Sequence, residues 1–283
     1  MKTLNFNLYR YQLLPKDRHF QGALFGDIQT IDDLILKKND LFYEQIKTIE
    51  EWKGKRSIIK GQLLFDKDDF LIFRFAPRRT TKIENEYFEE EQYEDWPSII
   101  VAVWNNKEKQ VMAIQDRKKA FSSTKSVLST ITNSINIALV QKQLRIAAEP
   151  IFHEEAFWNI IEQYSHQIKK IRFDLITPNM ANISGMLSED LKNLAKMTNT
   201  LSTKLEIDAE DSALHIDKNN QQINSLVHYA SQGGGNASIK VKGIQKRIQT
   251  SNSIKTIEIE ELELNGDNVE DIASILKRVI DEE

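Results

Sequence analysis

The sequence predicts a mixed α/β protein of the α+β kind, with largely antiparallel sheets that contain hairpins and are covered by helices. Three observations lead to this fold class. Alternating apolar runs flank short polar turns, a pattern typical of hairpins rather than of a parallel sheet. Segments with helical apolar spacing lie between these runs, so helices can cover the sheets. The 283 residues are enough for two domains, and we expect them at 1–142 and 143–283.

In the first half, the spacing of apolar residues predicts one strand, two helices and two hairpins. The strand covers 3–13, where apolar and polar residues alternate. The first helix covers 27–50, with Asp27 or Thr30 as its N-cap, and the second covers 122–141. The hairpins are formed by strands over 58–65 and 70–75, and by strands over 99–104 and 110–114.

In the second half, predicted strands and helices alternate before a final hairpin. Pro178 ends one strand, because proline cannot continue a hydrogen-bonded ladder. The predicted strands cover 145–152, 168–176, 204–209, 238–248 and 254–264, and the last two form the hairpin. The predicted helices cover 154–166, 189–197, 220–231 and 269–280, with Ser188 as cap of the second and Asp267 or Asn268 near the cap of the last.

The composition indicates an intracellular protein that is not inserted in a membrane. The chain has no cysteine, which excludes disulfides and thiolate chemistry and fits a reducing compartment. The N-terminal residues lack the uninterrupted apolar core of a signal peptide. No stretch approaches the roughly 18 apolar residues of a membrane span. We therefore expect a cytoplasmic location.

The usual signatures of cofactor binding and catalysis are absent from the sequence. It contains neither GxGxxG nor GxxxxGK[ST], and no histidine pair has the HExxH spacing. The triple glycine 233–235 follows a predicted helix, a position at which glycine commonly ends helices. A phosphate-binding loop would instead precede a helix N-terminus. We expect no cofactor, no metal and no catalytic residue.

A metal-dependent nuclease remains an alternative because of one run of carboxylates. Glu206 and Asp208 alternate with apolar residues, so they share a strand face with Lys204, and Glu210 and Asp211 follow. A solvated strand edge explains the same pattern. The same two explanations apply to the run Glu258, Glu260, Glu261 and Glu263.

The positive charges are concentrated in four clusters, although the net charge is −4. By sequence, residues 1–142 sum to +3 and residues 143–283 to −7. Screening confines each charge to about 8–10 Å, so local clusters decide whether a polyanion binds. Two clusters lie in the first half: Arg74, Arg78, Arg79 and Lys82, and then Arg117, Lys118, Lys119 and Lys125, next to the start of a helix.

The other two clusters lie on predicted strands of the second half. They are Lys169, Lys170 and Arg172, and Lys240, Lys242, Lys246 and Arg247. If these two strands are neighbours, Lys170, Arg172, Lys240 and Lys242 form one basic sheet face that can follow a phosphate backbone. Alternatively, Glu258 and Glu260 neutralise this face.

A strongly acidic segment follows the first basic cluster. Residues 84–95 hold seven carboxylates together with Tyr87, Phe88 and Tyr93. One interpretation is a mobile, solvated loop. The other is an arm that occupies the basic groove or binds a partner protein, anchored by its aromatic side chains.

The order of elements from Ser98 onward resembles a known group of proteins. The order is hairpin (SIIVAVWNNKEKQVMAIQD), basic turn (RKKAFSSTK), long helix, strand (RIAAEPIF), helix and strand (IKKIRFDLITPN). It is similar to the phage-exclusion protein RexA and its structural relatives, the recombination-associated RdgC and the Kiwa component KwaB. The resemblance implies a two-domain homodimer that binds double-stranded DNA with little sequence preference, in anti-phage defence. The acidic second half departs from a strongly basic DNA clamp.

Three hypotheses follow from the residues, and the defence setting in them is what the resemblance implies. The first is a non-enzymatic DNA-binding protein that acts as a sensor or regulator in defence. The second is the metal-dependent nuclease or another toxic effector, and the third is a scaffold that binds a protein of a defence system through the acidic segment. In the first, the phosphate contacts are Arg78, Arg79, Arg117, Lys118, Lys119, Lys125, Lys170, Arg172, Lys240, Lys242, Lys246 and Arg247.

Overall fold

The computed structural model describes residues 3–17, 28–54, 58–177, 185, 187–209, 212–260 and 269–282, and it has the predicted mixed α/β architecture with antiparallel sheets. In this part of the chain, the strands are β1 (Thr3–Pro15), β2 (Glu51–Lys53), β3 (Ile58–Lys67), β4 (Phe70–Pro77), β5 (Arg79–Glu84), β6 (Glu90–Asp95), β7 (Ile99–Asn105), β8 (Gln110–Gln115), β9 (Leu144–Pro150), β10 (Ile168–Ile176), β11 (Ser202–Asp208), β12 (Gly235–Val241), β13 (Ile248–Gln249) and β14 (Thr256–Glu260). The helices are α1 (Ile31–Lys47), α2 (Thr124–Leu139), α3 (Glu154–Gln163), α4 (Glu189–Met197), α5 (Gln221–Tyr229) and α6 (Val269–Asp281).

The chain divides into two compact units, and each takes segments from more than one part of the sequence. Unit 1 comprises Met1–Asn7, Asn39–Lys142 and Thr256–Glu283, and unit 2 comprises Leu8–Lys38 and Gln143–Lys255. The division into continuous domains at residue 142 stays a prediction.

Unit 1 contains a sheet in the order β14-β1-β8-β7-β4-β3-β2, to which β1 contributes its first residues. The hairpins β3–β4 and β7–β8 confirm the two predicted from the sequence. The first turns at Asp68 and Asp69, whose φ angles of 53° and 59° are left-handed. Aspartate tolerates this conformation, and two such residues match the twist of a tight hairpin.

Helix α2 covers part of this sheet, as its apolar spacing predicts. Its buried stripe includes Val127, Ile131 and Ile135. The backbone N–H of Lys53 in β2 donates to the Ser134 hydroxyl over 3.0 Å, so the helix also satisfies a backbone donor of this end strand.

Helix α1 begins with a reciprocal cap that satisfies two backbone donors. The Thr30 hydroxyl accepts from the Asp33 N–H over 3.2 Å, and the Asp33 carboxylate accepts from the Thr30 N–H over 2.9 Å. This confirms Thr30 as one of the two predicted caps, and the other, Asp27, lies outside the described residues.

Unit 2 contains a second sheet, in the order β11-β10-β12-β13, with an apolar core on one face. Helix α3 contributes Phe157 and helix α5 contributes Val227 to this core, and both are fully buried. They pack with Ile171, Phe173 and Ile239 of the sheet. Residues alternate along a strand, so the opposite face carries the charged side chains of β10 and β11.

The triple glycine lies where α5 ends and β12 begins. Gly233 has a left-handed φ of 78°. At Gly235, an added Cβ would lie 2.3 Å from the Asp174 carbonyl oxygen of the neighbouring strand. The segment therefore acts as a helix terminator and a close backbone contact, in line with its interpretation as a helix end rather than a phosphate loop.

Two sequence-based interpretations are wrong. Segment 84–95 is not a loop, because its residues 90–95 form β6, which pairs with β5. The final predicted hairpin also does not form: β12 pairs with β10 and β13, whereas β14 pairs with β1. Local alternation identified the last two strands as strands, but packing against distant partners determines which sheet each joins. Residues 261–264 of the predicted last strand and the caps Asp267 and Asn268 lie outside the described residues.

A buried lysine in α1 makes stability depend on alkaline pH. Lys38 is only 7% exposed, and burial lowers its pKa to about 8. Between that value and its usual pKa near 10.5, the unfolded chain holds a proton that the folded chain has released, so stability rises with pH. We expect the free energy of unfolding of the wild type to gain on the order of 1–3 kcal/mol relative to Lys38→Met between about pH 7 and pH 10.

Urea denaturation at a series of pH values measures this difference. Lys37→Met is the matched control, because Lys37 is exposed and its substitution removes the same charge from the same helix. Parallel stability curves for the wild type and Lys38→Met would contradict the assignment.

Candidate nucleic-acid interface

The β5–β6 hairpin places a basic strand beside an acidic one. Register pairs Arg79 with Asp95 and Lys82 with Gln92 along the two strands. The three-residue turn closes through the Asn85 side-chain oxygen, which accepts from the N–H groups of Tyr87 and Glu89 over 2.9 and 3.1 Å. Sequence reasoning missed this hairpin because the turn has no glycine: Phe88 takes the left-handed position, with φ 60°.

The acidic strand β6 neutralises one cation of β5, one directly before it and one of the basic turn at 117–119. Arg78 pairs with Glu94, and Lys82 pairs with Glu90. Lys119 of the basic turn pairs with Asp95 over 3.0 Å. These pairs are largely exposed, so each contributes little and a competing anion can displace it.

The structure brings the first two basic clusters together at the base of this hairpin. The Arg79 guanidinium donates to the Ala120 carbonyl oxygen over 2.7 Å, directly after the basic turn. Arg117 donates to the Ser98 carbonyl oxygen over 2.8 Å, and Lys118 pairs with Asp116 over 2.9 Å. We name the set Arg78, Arg79, Arg117, Lys118, Lys119 and Lys125 the root surface.

The start of helix α2 lies next to the basic turn. Ser123 is its N-cap and accepts from the Ser126 N–H over 3.2 Å. The first turn carries no acidic residue, and Lys125 within it is exposed. The positive end of the helix dipole therefore adds to the lysine charge, which favours an anion such as a phosphate.

The other two clusters meet on the charged face of the unit 2 sheet. Strands β10 and β12 are neighbours, and Lys170 lies directly opposite Lys240. The Lys240 ammonium donates to the Ile244 and Gln245 carbonyl oxygens over 2.6 and 2.7 Å. The Lys170 ammonium donates a hydrogen bond to Asp208, which raises the pKa of Lys170.

The same face carries several carboxylates. Arg172 pairs with Asp174 over 2.7 Å, and Arg247 pairs with Glu206 over 2.9 Å. The predicted neutralising residues Glu258 and Glu260 are therefore the wrong ones, because their strand β14 joins the other sheet. The carboxylates come instead from β10, which supplies Asp174, and from β11. The remaining predicted cations, Lys242 and Lys246, are exposed in the turn after β12.

The carboxylates of β11 do not form a recognisable metal centre. Glu206 and Asp208 are engaged by Lys170 and Arg247. Within the residues that the structure describes, no three His, Asp or Glu side chains are grouped so that they could hold a metal ion. Glu210 and Asp211, and Glu261 and Glu263 of the other run, lie outside those residues.

Across the described part of the chain, we find no helix with the length and apolarity required to span a bilayer. A comparison with curated proteins finds no match. Residues 106–281 match the profile of a family described as a domain of unknown function, DUF4747. The match begins after the β5–β6 hairpin and includes the basic turn, α2 and the unit 2 sheet. Since it covers more than half of the chain, the protein belongs to the DUF4747 family.

Proposed function

We propose that this protein binds double-stranded DNA through the phosphate backbone, with little sequence preference and without catalysing a reaction. The observation that carries the proposal is the convergence of two basic clusters at the root surface, beside the N-terminus of α2. Cations and a helix N-terminus are the groups that bind phosphates, and they carry no base-specific information.

The unit 2 sheet has a smaller part in the proposal. Its cations Lys170, Arg172 and Arg247 are paired with carboxylates, as Arg78, Lys118 and Lys119 of the root surface are, but their side chains are only 38%, 32% and 29% exposed. The three root-surface side chains are 61%, 68% and 67% exposed, so a phosphate reaches them more easily. Lys242 and Lys246 are exposed and extend this face. We therefore assign the first phosphate contacts to the root surface and secondary ones to the sheet.

The biological setting is proposed from the resemblance to the RexA group. On this basis the protein is a cytoplasmic homodimer that acts as a sensor or regulator in anti-phage defence. The root surface supplies a means of contacting phage or host DNA of any sequence, as a sensor of this kind requires.

A second candidate function is protein binding through the β5–β6 hairpin. Tyr87 is 73% exposed and Phe88 is 86% exposed at the tip. Aromatic side chains anchor protein interfaces, and the surrounding carboxylates favour a basic partner. Capture of such a partner by the intact chain, and its loss when residues 84–95 are deleted, would favour the scaffold hypothesis over DNA binding.

A gel-shift titration of the wild type on duplex DNA tests the main proposal. We expect binding to weaken steeply between about 50 mM and 200 mM salt, because each phosphate contact releases a counterion. The six cations of the root surface predict a slope of log K against log salt of roughly −3 to −5. Absence of binding at the lower salt concentration, or binding that does not depend on salt, would overturn the proposal.

A further inference from the structure

The β5–β6 hairpin has free edges. Among the described residues it is a two-stranded sheet without a third strand, and every residue of β5 is exposed. Two-stranded hairpins are marginally stable in water, and further strands stabilise them. An exposed strand edge is also a template for pairing with another chain.

The hydrogen bonds at the turn show which backbone groups of β5 face outward. The Asn85 N–H donates to the Glu89 carbonyl oxygen over 3.1 Å, so these two residues form a bonded pair. Bonded and non-bonded pairs alternate along an antiparallel ladder. The N–H and C=O groups of Thr80, Lys82 and Glu84 therefore point away from β6, toward the free edge.

The outward edge of β5 is complementary to itself. In an antiparallel pairing centred on Thr81, Thr80 faces the partner's Lys82, and Arg78 faces the partner's Glu84. Thr80 and Lys82 are positions where outward-pointing groups meet, and the opposite charges of Glu84 and of Arg78, which directly precedes β5, favour the same register. The free edge of β6 lacks this property, because its carboxylates would face one another across the two-fold axis.

We propose that two copies of the chain pair through the outward edges of β5 and form a four-stranded sheet in the order β6-β5-β5-β6. The acidic strands are then outermost, about 14 Å apart, which exceeds the Debye length of about 8 Å. In the pairs between the two β5 strands that are not hydrogen-bonded, Ile83 faces the partner's Arg79 and Thr81 faces the partner's Thr81. This contact rests on the homodimer proposed above and does not depend on DNA binding.

Proline substitutions on the two edges test the contact. Lys82→Pro removes an outward N–H of β5, and Gln92→Pro removes an outward N–H of β6. Neither N–H is hydrogen-bonded within the hairpin. In sedimentation equilibrium without DNA, we expect a wild-type dimer, a dissociation constant at least about tenfold higher for Lys82→Pro, and a near wild-type value for Gln92→Pro.

A charge exchange provides a second test in case proline disturbs the hairpin. Arg78→Glu and Glu84→Arg should each weaken the dimer, and the double variant should recover most of the loss, because it restores opposite charges across the edge. If Lys82→Pro and both charge variants dimerise as tightly as the wild type does, the edge contact is overturned, whereas the proposal of a homodimer stands. A wild-type monomer up to about 100 µM would overturn both, and neither result bears on DNA affinity.

Discussion

The triple variant Arg117→Glu, Lys118→Glu, Lys119→Glu is expected to lose several hundred-fold in affinity for duplex DNA at about 0.1 M salt. Each phosphate contact changes log K by about 0.9 per decade of salt, which makes one contact worth roughly eightfold at that concentration. Three contacts multiply to several hundred-fold, and the reversed charges add repulsion. The slope of log K against log salt should become less negative by about three.

The matched control is a second triple variant with the same change in net charge. Lys37→Glu, Lys53→Glu and Lys107→Glu alter exposed lysines outside both candidate surfaces. Screening confines the effect of these charges to about 8–10 Å, so this variant should retain most of its affinity. Equal losses in the two variants would show that net charge, and not the basic turn, governs binding.

Neutralising the acidic strand is expected to raise DNA affinity by about tenfold. The variant Glu90→Gln, Glu94→Gln, Asp95→Asn keeps the size of each side chain and releases Lys82, Arg78 and Lys119. An exposed ion pair is worth at most about a kilocalorie, so each released cation adds a few-fold at most. The salt slope should become more negative, because more cations reach phosphates.

A control within the same hairpin separates ion pairing from overall charge. The variant Glu86→Gln, Glu89→Gln, Glu91→Gln also removes three carboxylates. In the wild type, the Glu91 carboxylate accepts hydrogen bonds from Tyr93 and Asn85, which lower its pKa and hold it away from the cations. It should increase affinity less than the first variant. If both variants bind DNA as the wild type does, the acidic strand does not compete with DNA, although the root surface can still bind it.

These substitutions are sharper than deleting residues 84–95. Deletion removes all of β6 and leaves β5 without its ladder, so a change in affinity would combine lost structure with lost charge. The point variants preserve the ladder and change only the charge.

Much of the fold follows from local sequence patterns. The β3–β4 and β7–β8 hairpins combine apolar strands with polar turns, and both form as predicted. Helix α4 covers 189–197, the range predicted from its apolar spacing, and the Ser188 hydroxyl accepts from the Leu191 N–H over 3.4 Å. In each case the residues that determine the element lie within it or next to it.

Other parts of the fold depend on distant residues. The β5–β6 hairpin buries almost nothing, so its strands lack the apolar alternation that marks a strand with one buried face. Strand β14 alternates correctly, with Ile257 and Ile259 buried, but its partner β1 lies at the other end of the sequence. A single sequence contains no local signal for such a pairing.

The candidate site shows the same division. The sequence located the cations of the root surface, because charge is visible residue by residue. It did not reveal that Glu94 and Asp95 neutralise two of them and that Glu90 neutralises the neighbouring Lys82, since such partners depend on the register of a ladder.

The glycines at the start of β12 have a consequence for the charges on the exposed sheet face. Gly235 lies opposite Leu175, and this register places Lys240 opposite Lys170 farther along the same two strands. A side chain at Gly235 would collide with the backbone of β10, and a slip of one residue to relieve the collision would turn every side chain of β12 to the other face. Lys240 would then point into the apolar core. The charge pattern of this sheet face is thus encoded partly in an uncharged residue, and a substitution at Gly235 would alter it without removing a charge.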